Sequence, residues 1–459
     1  MPTLSERKIA IVQTLVQTAP DRAVGMLERA LANAAGDDPL VAVRRLVEVE
    51  VADRRLRNLV LQPLVPLCSA AAPPTALRFP SRTLGLIWRA LKSTETDTLS
   101  RLRDQSDDDE TLAHTLNDTM DRLVAAAAAR LRLRDHPDFD AVGAICDADQ
   151  DEGGARLVAC LDIAAIVRKA VQRLPEWIMN PGGDTAAAAR IAHRDAVAIA
   201  DDAGPRFFHM LAGHLAHRWM VMRIISAVMD KPTERYLADS ELAGFGEVVL
   251  SDVDQLIAAA GKLDAFGGPD AGRAAAQSLG SAVQQIVEVE ASVDLTREHG
   301  WGKRIVTQRG AITAIVEARL RDAEKSLPEA LPRQESRGNR GRALPRLTSG
   351  PEPRAVAQAE TLLAFVEELR TSMNPGGFTS ARATSLERLA EGLDQYAEGA
   401  LELLRTESPA DPDAAYAILQ AAATLTGYVK GPKAAELILR RAGVALRAAD
   451  TPQLAAGHA

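Results

Sequence analysis

Hydrophobic residues recur at helical spacing along nearly the whole chain, and proline, glycine and acidic residues mark the breaks. Ile9, Val12 and Val16 predict a helix over 5–18, and Val24, Leu27 and Leu31 a second over 21–35. Between them Ala19-Pro20-Asp21 stops one helix and starts the next, because proline and an acidic residue suit a helix N-terminus. A third segment follows Asp37-Asp38-Pro39. Its Val47-Glu48-Val49-Glu50-Val51 stretch alternates like a strand, but arginine-rich helical flanks and the lack of a pairing partner favour helix.

Residues 59–74 are apolar yet interrupted by Pro63, Pro66, Pro73 and Pro74. A buried irregular segment is the plainer reading. The sharper one is an exposed apolar groove in which Leu59, Leu61 and Leu64 meet a protein partner. Helices are predicted over 81–93 and 107–133, the second opening on Asp107-Asp108-Asp109-Glu110, where acids suit the positive end of the dipole. Another helix ends near Trp177, and one follows at 185–202. The stretch 205–229 carries Phe207, Phe208, Met210, Leu211, Leu215, Trp219, Ile224 and Ile225 on most faces. It predicts one continuous helix at the centre of the larger domain. Helices over 238–263, 270–297 and 303–327 complete that region.

Residues 330–354 lose the helical period and read as an Arg/Pro/Gly-rich flexible linker. Arg337, Arg340, Arg342 and Arg346 there form a candidate basic arm for an anionic partner surface. Beyond it, Val356, Leu362, Phe365, Val366 and Leu369 stripe one helix, and Leu386, Leu389, Leu393, Tyr396, Ala400 and Leu404 the next. Asp411-Pro412-Asp413 and Gly431-Pro432 open two more. The expected architecture is all-α. A multi-helical N-terminal domain over 1–329, an irregular bundle or solenoid-like, has a possible sub-boundary at 135–152. An up-down four-helix bundle over 355–450 and a tail over 451–459 follow the linker.

One peptide punctuates this layout twice. Met-Asn-Pro-Gly-Gly occurs at 179–183 and again at 373–377, each time between helical stretches and followed by Thr185 or Thr379. Proline stops a helix, glycines turn the chain, and Asp184, Thr185, Thr379 or Ser380 caps the next helix. The alternative is a phosphate cradle of backbone amides. A shared Val-Glu-Val-Glu echo at 47–50 and 287–290 raises the possibility of an internal duplication. The spacing differs, however: 137 residues from Ala42 to Met179 against 91 from Ala282 to Met373. No fixed short repeat emerges.

Composition narrows the class. Aromatics are only 3% of the 459 residues, which suits helices packed through small residues and leucine better than sheets. The net charge of −8 argues against a nucleic-acid partner, whose footprint would be basic. The basic residues are mostly arginine, as GC-rich bacterial coding produces. Cys68, Cys146 and Cys160 have no metal spacing and are odd in number, so they read as buried thiols of a reducing compartment. With no signal peptide or membrane span in the pattern, the expected location is cytoplasmic.

Candidate chemistry is sparse. His193, His209, His214 and His217, with Asp195, Asp201 and Asp202 nearby, are the densest set of possible metal ligands. On a continuous helix His214 and His217 would share a face. The Glu-x-x-His pair of di-iron bundles is absent, so satisfied histidines at a core edge are the plainer reading. Asp147, Asp149 and Asp151 match the first oxygen positions of a calcium loop, but Glu152 replaces the turn glycine and Val158 the bidentate glutamate. No phosphate loop, nucleophile elbow or Cys/His nucleophile is present, and no cofactor is expected. The sequence therefore predicts a non-catalytic scaffold or adaptor working through a protein partner. The alternative is a metal-, haem- or small-molecule-binding protein built on the four histidines. Nothing in the pattern sets an oligomeric state.

Overall fold

A computed structural model of the chain describes residues 6–32, 39–69, 77–105, 113–180, 182–335, 343–372, 379–406 and 411–449. They form an essentially all-α, multi-helical protein. Among the described residues the only strand pairing is a short two-stranded ladder and one isolated bridge. The chain divides into two compact units, Met1–Lys231 and Pro232–Ala459.

The N-terminal unit opens with α1 (Glu6–Thr18), α2 (Asp21–Leu31) and α3 (Pro39–Val60). Val16, Val24, Val47 and Val51 make a small core of their own, and Val49 between the last two is 69% exposed. That burial has helical, not strand, periodicity, so the Val-Glu alternation is helix as expected. Arg54 of α3 fastens the corner at Pro20. Its guanidinium donates to the carbonyls of Val16 and Gln17 at the end of α1 and pairs with Asp21 at 2.6 Å. Arg57 pairs with the other Asp21 oxygen.

After α3 the proline-broken stretch becomes a 3-10 helix, Gln62–Cys68. Leu61 and Leu64 are fully buried there, so they cannot face a partner, and only Leu59 is exposed. The buried irregular reading holds for the described part. Prolines leave carbonyls without donors, and side chains supply them. Pro63 has no N–H for the Leu59 carbonyl, and Arg168 donates to it at 2.8 Å and to the Val60 carbonyl at 2.6 Å. Asp121, 2.9 Å away, balances the Arg168 charge.

There follow α4 (Thr83–Thr94), α5 (Thr96–Gln105), α6 (Ala113–Leu133), α7 (Pro137–Asp149), α8 (Gly153–Asp162), α9 (Ala164–Met179) and α10 (Gly183–Val197). The acidic run at 107–110 lies outside the described residues. The predicted helix over 205–229 is in fact two, α11 (Ala203–Gly213) and α12 (Val221–Met229), separated by bends and a 3-10 turn at Arg218–Met220. The break falls where Gly213 lies against Pro66, so close that a Cβ would come within 2.8 Å of the proline ring.

In the C-terminal unit α13 (Glu234–Ala238), α14 (Ala243–Gly261), α15 (Pro269–Ser292) and α16 (Gly300–Ala330) precede the ladder. Helices α17 (Pro353–Ser372), α18 (Thr379–Thr406), α19 (Pro412–Lys430) and α20 (Pro432–Ala449) follow it. Glu234 is buried and accepts from the backbone N–H groups of Trp301 at 2.5 Å and Gly302 at 3.3 Å. It thereby satisfies donors that the first turn of α16 leaves open.

The expected division at 330–354 is not where the compact units part. Helix α17 packs against α15, α16 and α19, and Thr361–Val366 are buried on every face. A helix so enclosed belongs to both groups of neighbours. The expected linker also carries structure at both ends: β1 (Arg333–Glu335) pairs antiparallel with β2 (Ala343–Pro345), and Leu347 is buried. The second Met-Asn-Pro-Gly-Gly corner lies outside the described residues. The Val-Glu echo has different burial in its two copies, since Glu48 and Val49 are exposed while Glu288 and Val289 are buried.

Candidate functional site

The four histidines do not form a ligand set. His193 stacks on Phe208 with ring centroids 5.1 Å apart and meets Phe207 edge-on. His214 caps the end of α11 and hydrogen-bonds the Pro63 carbonyl, for which Pro66 has no N–H to offer along the 3-10 turn. Its Nε2 is buried without a partner, which leaves Nδ1 as the donor. His217 is exposed and stacks on Trp219, and the chain break removes the shared helix face predicted for it and His214. Burial lowers the pKa of His193 and of His214. It brings His209 down to about 4, with Arg156 and Arg218 adding to the effect. Among the described residues no three His, Cys, Asp or Glu side chains converge where a metal ion would sit.

The other sequence candidates take structural places as well. The three cysteines are free and buried, and burial pushes the Cys160 thiol up to about 12, away from nucleophilic reactivity. Asp147 accepts from the Gly154 N–H at 2.7 Å and pairs with Arg134. The first of these, then the second, holds its carboxyl below the usual range. It joins the end of α7 to the start of α8. At the first Met-Asn-Pro-Gly-Gly corner the N-cap of α10 is Gly182, which has no side chain to accept from the helix N-terminus. The expected cap is replaced by Thr185 donating to the carbonyls of Asn180 and Gly182. Of the basic arm only Arg346 lies among the described residues, where its N–H donates to the Pro332 carbonyl.

A concave feature lies in the C-terminal unit, between the end of α16 and the middle of α18. It is an open groove of about 280 Å³. Leu327, Pro328 and Leu331 line one wall, and Leu389, Gly392 and Tyr396 the other. Arg333 of β1 and Arg388 of α18 stand at the rim with Glu324, which lies 3.7 Å from Arg388. The ladder positions Arg333 over the Tyr396 ring, 5.7 Å from its centroid. Burial raises the Tyr396 pKa, so the phenol stays protonated and donates to the Pro332 carbonyl at 3.1 Å. Pro328, inside α16, leaves the Glu324 carbonyl without its usual helical donor.

In the sequence Leu389 and Tyr396 read as core, and Arg333 opens the arginine-rich stretch over 330–354. Pro328 inside a helical pattern is the one local signal, and the pairing of α16 with α18 is a long-range fact. The groove combines an apolar lining with two arginines and one glutamate. No protein-family model, curated protein or solved structure matches this chain.

Proposed function

We propose that this chain is a non-catalytic helical scaffold or adaptor that holds a protein partner through the groove between α16 and α18. The observation that carries this reading is the groove's make-up: leucines at its base and two arginines and one glutamate at its rim. At about 280 Å³ it lies at the small end of ligand pockets and is open along one side. That suits side chains of a docked segment better than an enclosed small molecule. No helix among the described residues is long and apolar enough to cross a membrane.

A photo-cross-linking amino acid at exposed Gln395, one turn from Gly392 on the same face of α18, tests the reading in the native host. The expected result is a discrete protein adduct that disappears when Gly392→Leu fills the groove. No adduct, or an adduct indifferent to Gly392→Leu, overturns it.

A further inference from the structure

Helix α18 carries two glycines, Gly392 and Gly399, seven residues apart and so on one face. Glycine inside a helix costs about 1 kcal/mol relative to alanine, so each calls for a reason. For Gly399 the chain supplies it: a Cβ there would lie 3.2 Å from the Pro345 ring of β2. For Gly392 it does not. A Cβ at that position meets nothing within 4 Å, because the glycine faces the open groove. Gly392 therefore keeps the groove open where a side chain on α18 would narrow it.

The rim states the chemistry of an occupant. Arg388 is 67% exposed, Arg346 is exposed beside the ladder and Arg333 stands over Tyr396, while Glu324 is the one acid lining the groove. This local excess of positive charge stands on a chain whose net charge is −8. The walls run from Arg388 to Tyr396 on α18, about 12 Å at the rise of a helix, or roughly two turns. Resting on the binding reading above, we infer that the groove takes two turns of an acidic amphipathic helix from a protein partner. One bulky apolar side chain is seated over Gly392 and carboxylates face Arg333 and Arg388. This is helix-in-groove recognition, with an apolar anchor for affinity and charges for choice of partner.

Fluorescence polarisation on the intact chain tests this with a labelled amphipathic peptide that carries leucines and one phenylalanine on one face and glutamates on the other. A lysine-for-glutamate counterpart is the control, and dodecanoate is the competitor. The acidic peptide binds saturably and at least about tenfold more tightly than the basic one, as two rim charges of modest strength require. Arg388→Gln weakens it about fivefold, and Glu324→Gln, by removing the opposing acid, tightens it about two- to fivefold. Gly392→Leu abolishes binding while the urea midpoint holds or rises. Equal binding of both peptides, no saturable binding, or indifference to Gly392→Leu overturns the inference. Displacement by stoichiometric dodecanoate does so too, by making the groove a site for small amphiphiles. A cross-linked protein adduct in cells without acidic-peptide binding in vitro leaves the adaptor reading standing and discards this one.

Discussion

The α15–α17 contact joins two regions of the sequence that their own patterns would separate, and Gly272 is where it can be tested. Replacing a helical glycine by alanine has two opposed effects. Backbone entropy and propensity favour alanine by about 0.8–1 kcal/mol in a helix interior. Packing opposes it at this site. A Cβ on Gly272 would stand 3.0 Å from the Phe365 nitrogen and closer still to the Thr361 carbonyl oxygen, both backbone atoms of α17 that cannot rotate away. Forcing the helices apart costs about 1–3 kcal/mol by the usual scale of overpacking. It also strains the bond from the Gly268 N–H to the Thr361 hydroxyl, 3.1 Å long. With backbone atoms this close the overpacking cost lies at the upper end, packing wins, and Gly272→Ala destabilises α15 and α17 by up to roughly 2 kcal/mol. Gly310 is the internal control, because it sits exposed in α16 and a Cβ there meets nothing within 4 Å. Gly310→Ala stabilises by about 0.5–1 kcal/mol. Urea-dependent hydrogen exchange read on peptides of α15, α16 and α17 measures both without assuming that the two units unfold together. If Gly272→Ala is as stable as Gly310→Ala, the close approach of α15 to α17 is wrong, and with it the continuity of the C-terminal unit across 330–354.

Three further outcomes follow from the same contacts. Arg168→Met strips a buried charge from Asp121 and two donors from the Leu59 and Val60 carbonyls, and lowers the stability of the N-terminal unit by about 3–5 kcal/mol. A loss below about 1 kcal/mol in chemical denaturation would show that water replaces it. Glu234→Gln keeps the size of the side chain but leaves one backbone donor of Trp301 or Gly302 poorly met; hydrogen exchange in the first turn of α16 rises, matching a loss of about 1–3 kcal/mol. His209 is held neutral by burial, with a folded pKa of about 4 against 6.5 unfolded. The unfolded chain therefore binds the extra proton between those values, so the contribution is complete above pH 6.5 and lost as pH falls towards 4. At pH 5 the N-terminal unit is weaker by about 2 kcal/mol from this group alone. His209→Asn flattens that slope, and an unchanged slope in the variant would sink the assignment.

Helix existence was legible because it is a local matter. A period of 3.6 residues in the apolar positions, with proline and acids at the starts, locates α1, α2, α4 and α17–α20 without knowledge of any neighbour. The same rule fixed α3, since Val47 and Val51 are four apart and face one core. It failed across 205–229, where apolar residues on every face hide the break at Gly213. That break depends on Pro66, nearly 150 residues earlier, which lies against the glycine. The helix face expected for His214 and His217 is lost for the same reason, because it exists only if the helix is continuous.

The sequence by itself determined an all-α chain and buried thiols, both readable from residue types and near neighbours. Tertiary structure alone decided that α17 belongs with α15, that Arg168 and His214 supply donors the prolines lack, and that Gly392 faces open space while Gly399 admits Pro345. The physical reason is that hydrogen-bond satisfaction and close packing are settled between segments far apart in sequence. A glycine or arginine reads the same in one dimension whether it meets a neighbour, a partner or solvent.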